Sequence, residues 1–185
     1  QKALTSYLEN YPQGANQLQA QFLSAELYFQ DEEWTAAREQ YALVLEQPTH
    51  EYSEQALVRI TQALVNNEQK SDALPYWKTL EELAQFQENK RYALFNLMQI
   101  YYEKEQFSDA IAYAEKVVVL QSLGQKIKWD AYRVLARAAV AIQDIKKAAE
   151  AYAVLEQAPD AALAVEALYF NAEQKHIAHE YASSN

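Results

Sequence analysis

Apolar residues recur along this chain at helical spacing, and the pattern itself repeats. Ala37, Ala73, Ala110 and Ala148 each lie just inside an amphipathic run, at separations of 36, 37 and 38 residues. Four residues after each alanine stand Tyr41, Trp77, Ala114 and Tyr152, and seven after stand Val44, Leu80, Val117 and Leu155. Three before stand Trp34, Lys70, Phe107 and Ile145; nine before, Tyr28, Leu64, Tyr101 and Ala139; twelve before, Ala25, Thr61, Met98 and Ala136. Apolar positions at these offsets trace one face of a helix on each side of a short break, so each unit predicts two amphipathic helices.

The breaks fall where helices are expected to stop. Within units they are Gln30–Glu33, Asn66–Gln69, Glu103–Gln106 and a tighter one at Gln143–Asp144. Between units they are Gln47–His50, Gln85–Asn89, Gln121–Gln125 and Gln157–Asp160, which include the helix terminators Pro48, Gly124 and Pro159. Pro75 belongs to the first turn of a helix, where a missing amide hydrogen costs little. The predicted organisation is a single domain with repeats at 18–53, 54–90, 91–128 and 129–164. Residues 1–17 form the second helix of a truncated repeat and its loop, and 165–185 the first helix of a further repeat or a cap. The Leu4, Tyr7 and Leu8 face and the Leu163, Leu168 and Ala172 face should each cover a neighbouring helix, with relatively apolar outer sides open to association. The expectation is a segment of a longer array.

Composition narrows the alternatives. Two glycines in 185 residues cannot supply the tight turns of an all-β protein, and Gly14 and Gly124 are too far apart for a phosphate-binding loop or a dinucleotide fingerprint. The absence of cysteine removes disulfides, zinc ribbons and thiol nucleophiles. Sixteen bases against 26 acids give a net charge of −10, which argues against a nucleic-acid partner. The charge is uneven: residues 1–58 hold two bases and nine acids, residues 90–150 ten bases and seven acids. No run approaches the length of a membrane span.

These residues resemble tetratricopeptide repeats. Ala25, Tyr28, Trp34, Ala37 and Tyr41 match the preferred small and aromatic positions well, as do Met98, Tyr101, Phe107, Ala110 and Ala114. The second and fourth units depart from the pattern at Lys70 and Ala139. The resemblance covers nearly the whole chain and implies an all-α superhelix of about four helix pairs flanked by single helices. Tyr11-Pro12-x-Gly14, Tyr28-Phe29 and Trp34-x-x-Ala37 look like bacterial cell-envelope members, above all the long periplasmic repeat proteins of Bacteroidetes, which implies a periplasmic or envelope location.

Catalytic chemistry finds no constellation. His176-x-x-His179-Glu180 has a spacing that could hold a metal, but near a terminus it reads as a solvated helix end, and His50 reads as a loop residue. Asp31-Glu32-Glu33 and Glu81-Glu82 read as solvated surface rather than the paired carboxyls of acid–base catalysis. No catalytic residue, cofactor or metal ligand is assigned. Most aromatics, among them Tyr28, Trp34, Tyr41, Trp77, Tyr101, Phe107 and Tyr152, fall at packing columns and are expected in the core.

The resemblance also implies a concave groove lined by first-helix side chains: Phe22, Glu26 and Phe29; Val58, Gln62 and Val65; Phe95, Gln99 and Tyr102; Arg133, Arg137 and Val140. Of these, Phe22, Phe29, Phe95, Gln99, Tyr102, Arg133 and Arg137 are the candidate contacts for a protein or peptide partner. Arg133 and Arg137 lie one turn apart and could grip an acidic segment or a terminal carboxylate; pairing with internal acids such as Asp130 is the competing reading. The function expected is a non-catalytic interaction scaffold, with self-association through the open ends as the alternative.

Overall fold

The computed structural model describes residues 2–11, 14–120 and 124–183, and among these the regular elements are all helical. They are α1 (Lys2–Asn10), α2 (Gln17–Gln30), α3 (Trp34–Leu45), α4 (Ser53–Asn66), α5 (Leu74–Leu83), α6 (Gln87–Glu103), α7 (Phe107–Val118), α8 (Gln125–Ala141), α9 (Ile145–Leu155) and α10 (Ala161–Ser183). A 3₁₀ turn at Lys70–Ala73 leads into α5, and Pro75 occupies the first turn of that helix. The expected pairs are therefore α2 with α3, α4 with α5, α6 with α7, and α8 with α9. First helices begin one to four residues before the repeat boundaries read from the sequence: Gln87 and Asn89, assigned to a break, already lie in α6. The Gln121–Gln125 break and the Pro12 stop lie partly outside the described residues.

The turn inside each pair has one geometry, four times over. Glu32, Glu68, Glu105 and Gln143 have φ of 60°, 59°, 56° and 62°, and each stands five residues before its repeat alanine. The amide of Glu105 bonds to the carbonyl of Tyr102 and that of Gln106 to Tyr101, at 3.0 and 2.9 Å; the equivalent pairs recur at Glu32, Glu68 and Gln143. This is the Schellman closure of a helix, which usually places glycine at the left-handed position. Here Glu or Gln takes the conformation, and so a glycine-poor chain still turns tightly.

Contacts divide the chain into two compact units, Gln1–Ala93 and Leu94–Asn185, with the boundary inside α6. In the first unit α3 packs between α2 and α4, α5 packs on α4, and α1 lies on α2. In the second, α8 packs between α7 and α9, and α9 also carries α10. Ala37, Ala73, Ala110 and Ala148 are fully buried, as the register requires. Tyr41, Trp77, Tyr101 and Tyr152 are buried, whereas Tyr28, Trp34 and Phe107 are half-buried. Full burial of a ring such as Tyr41 or Trp77 contributes on the order of 2–3 kcal/mol.

The terminal helices differ from expectation. The outward side of α1 carries exposed Lys2, Thr5, Ser6 and Glu9, so it is polar. In α10 the buried residue is Ala167, flanked by half-buried Leu163 and Phe170, with Phe170 against Tyr152 at 4.6 Å between ring centroids. Leu168 and Ala172, expected on the packed face, are exposed. The reason is register: Ala167 continues the buried column Ala20, Ala56, Ala93 and Ala131, and Leu168 is rotated away from it.

Candidate protein-interaction surface

The candidate contacts sit on α2, α6 and α8, at columns two, six and nine residues beyond the buried alanines Ala20, Ala93 and Ala131. Three and four residues of separation keep such columns on one helical face. What differs between positions is how much of each side chain the core consumes.

In the first unit, Phe22 is only 6 % exposed. Its ring stacks on Tyr52 at 4.7 Å and approaches Tyr41 at 6.1 Å. Phe22 is thus a packing residue with almost no area for a partner, a correction to its place among the contacts. Phe29 is half-buried, set edge-on to Trp34 at 5.2 Å, with the Arg59 guanidinium 4.8 Å above its ring. The Glu26 carboxylate accepts from the Tyr41 hydroxyl at 2.6 Å and from Arg59 Nε at 3.1 Å, while Arg59 Nη1 donates to Gln62 at 3.1 Å. Burial, then the hydrogen bond to Glu26, pushes the Tyr41 hydroxyl well above its ordinary pKa, so it serves as a neutral donor.

In the second unit, Phe95, Gln99 and Tyr102 are half-buried along α6, and Tyr102 meets Phe107 at 5.9 Å. Arg133 and Arg137 do not form an open fork. Arg133 pairs with Asp130 at 3.0 Å, and Arg137 takes the Glu166 carboxylate at two points, Nε–Oε1 2.9 Å and Nη2–Oε2 2.5 Å. The Tyr152 hydroxyl donates to the same carboxylate at 2.7 Å. The hydrogen bonds from Arg137 hold the Glu166 carboxyl below the usual range, and that pairing raises Arg137 in turn. Internal acids therefore offset both arginine charges, and the expected grip on an acidic partner loses its free cations. Sequence proximity points to Asp130 as a competitor but not to Glu166, 29 residues from Arg137.

The two polar clusters share two repeat columns with the charge exchanged at one of them. Tyr41 and Tyr152 share one repeat column, and Glu26 and Arg137 share another, eleven residues before the repeat alanine. In the first repeat that column supplies the acid and the base, Arg59, comes from the next first helix. In the fourth it supplies the base, and the acid, Glu166, comes from the next first helix.

Sequence reading missed two further features. Ala167 extends the buried alanine column by 36 residues, which places Tyr169, Glu173 and His176 at the three groove columns of α10; Tyr169 is 71 % exposed. The alanine spacing was the available signal. A cleft of about 420 Å³ also opens in the first unit over α4, between the α3–α4 and α5–α6 loops. His50, read as a plain loop residue, helps to wall it: Nε2 meets the Val44 carbonyl at 3.0 Å, and Nδ1 accepts from the Tyr52 amide at 3.1 Å. Among the described residues no group of three or more His, Cys, Asp or Glu side chains is placed to hold a metal, and no helix is long and apolar enough to cross a membrane.

No family model matches the chain, and no curated protein matches it. Among solved structures the chain is similar to YrrB, a TPR protein with an unusual peptide-binding site. That likeness has 21 % identity and a TM-score of 0.62, covering 91 % of this chain and 82 % of that one. The likeness is one of fold, and with the helical architecture it establishes the class: an all-α chain of the tetratricopeptide superhelical type.

Proposed function

We propose that this chain is a non-catalytic scaffold that binds a segment of a partner protein along the exposed faces of its first helices. One observation carries the reading: Phe29, Phe95, Gln99 and Tyr102 stand at groove columns and are only half-buried, so ring and amide surface is left over after packing. Rigid aromatic area of this kind dominates interface energetics at low entropic cost. The peptide-binding site named for YrrB supports a peptide as the ligand. The test is selection from a random peptide library displayed on phage, followed by titration of enriched peptides against the chain and against a Phe95→Ala, Tyr102→Ala variant. The scaffold reading expects enrichment and a loss of about tenfold or more in affinity for the variant; no enrichment over bare support removes it. The periplasmic or envelope location is proposed on the style of the units, and a signal peptide with a lipid-attachment cysteine in the parent gene would decide it.

Self-association is the second reading, favoured at one end. Val165, Leu168 and Tyr169 of α10 are 63 %, 54 % and 71 % exposed, an apolar cluster of the kind that marks interfaces. The polar outer side of α1 gives it no head-to-tail counterpart, so pairing would join α10 to α10 of a second copy. Sedimentation over a range of concentrations tests this: a Leu168→Glu, Tyr169→Glu variant should be monomeric where the parent associates, and a strictly monomeric parent excludes it.

A further inference from the structure

The cleft over α4 has an apolar wall that is left exposed. Phe86, in the α5–α6 loop, is 68 % exposed, and Leu83, at the end of α5, is 38 % exposed. Val58, a groove-column residue of α4, lines the same space. The loop that presents Phe86 is held rather than slack. The Glu54 carboxylate accepts from the amides of Gln85 and Phe86 at 3.0 and 3.1 Å and from the Asn89 side chain at 2.8 Å. An exposed aromatic on a fixed loop contributes to binding without first being ordered.

Charge specifies what the cleft takes. Glu51 and Glu54 both line it, and its base, Arg59, is committed to Glu26 and Gln62. The whole unit, residues 1–93, carries seven bases and fourteen acids. A negative field over a partly desolvated cleft attracts cations and repels acidic segments.

We propose that this cleft anchors an apolar side chain of a cationic peptide segment, with Leu83 and Phe86 as the wall and Glu51 meeting a flanking Lys or Arg. The proposal rests on the scaffold reading and adds to it the place and the charge of the ligand. It reverses the acidic ligand expected from Arg133 and Arg137.

The same phage-displayed library tests it, read by sequence and then by titration. Enriched peptides should carry an aromatic or branched aliphatic residue beside Lys or Arg. Phe86→Ser, at an exposed position that leaves the fold intact by circular dichroism, should weaken them about tenfold or more. Glu51→Lys should also weaken them, by a factor that shrinks as salt is raised. Enrichment of acidic peptides, or basic peptides that bind the Phe86→Ser variant at full strength, overturns the proposal while leaving the scaffold reading standing. Absence of any enrichment overturns both.

Discussion

The carboxylate of Glu166 receives the Arg137 guanidinium at two points, 2.9 and 2.5 Å, across the first helices of successive repeats. Two-point pairing fixes direction as well as distance, and Tyr152 supplies a third donor from the intervening second helix. The cluster thus ties α8, α9 and α10 together at one carboxylate.

That carboxylate makes stability depend on acid. The folded Glu166 pKa lies below its unfolded value, so its contribution is complete above the unfolded value and is lost as pH falls through the folded one. Both partners are partly exposed, which limits the pair to about 1 kcal/mol. The unfolding free energy of Glu166→Gln in urea should fall below the parent's by that amount near neutral pH, and the gap should close on acidification. A constant gap would contradict the assignment.

The left-handed turn residues predict a gain. Glu105 at φ 56° is strained as any L-residue is there, and glycine relieves that strain, so Glu105→Gly should stabilise the chain by about 0.5–1 kcal/mol. Glu103→Gly, two residues earlier at the end of α6, should instead cost up to about 1 kcal/mol. Chemical denaturation of the two variants side by side checks the sign.

Ala110 is fully buried in α7, at the repeat position where the paired helices are expected to cross. Ala110→Leu should overpack that crossing and cost on the order of 1–3 kcal/mol. An unchanged denaturation midpoint would mean that the crossing has been misplaced.

Phe22 and Phe29 share a helix and a residue type but should behave oppositely. Phe22→Ala removes a buried ring stacked on Tyr52 and should cost about 3–5 kcal/mol of stability. Phe29→Ala, at a half-buried position, should cost less stability and more ligand affinity. Thermal melts paired with titration of an enriched peptide separate the two effects.

The helix pairs were legible because small and aromatic residues return at near-constant spacing, and a crossing that admits only alanine leaves that trace. The left-handed turns were not, because Glu and Gln occupy a conformation whose usual marker is glycine. At the candidate site, columns could be assigned but exposure could not: Phe22 and Phe95 occupy the same column, and the rings of Tyr52 and Tyr41 pack against the first. Arg137 looked free for the same reason, since Glu166 is 29 residues away on the next first helix. The cleft at Phe86 arises from two loops, which carry no periodic signal.

The most direct measurement of the central claim is the affinity of an enriched peptide for a variant in which Phe95 and Tyr102 of α6 are both replaced by alanine and whose helical content is intact. Binding along the first-helix faces predicts a loss of tenfold or more, about 1.4 kcal/mol at the least. Undiminished affinity would contradict it and would move the interaction away from those faces.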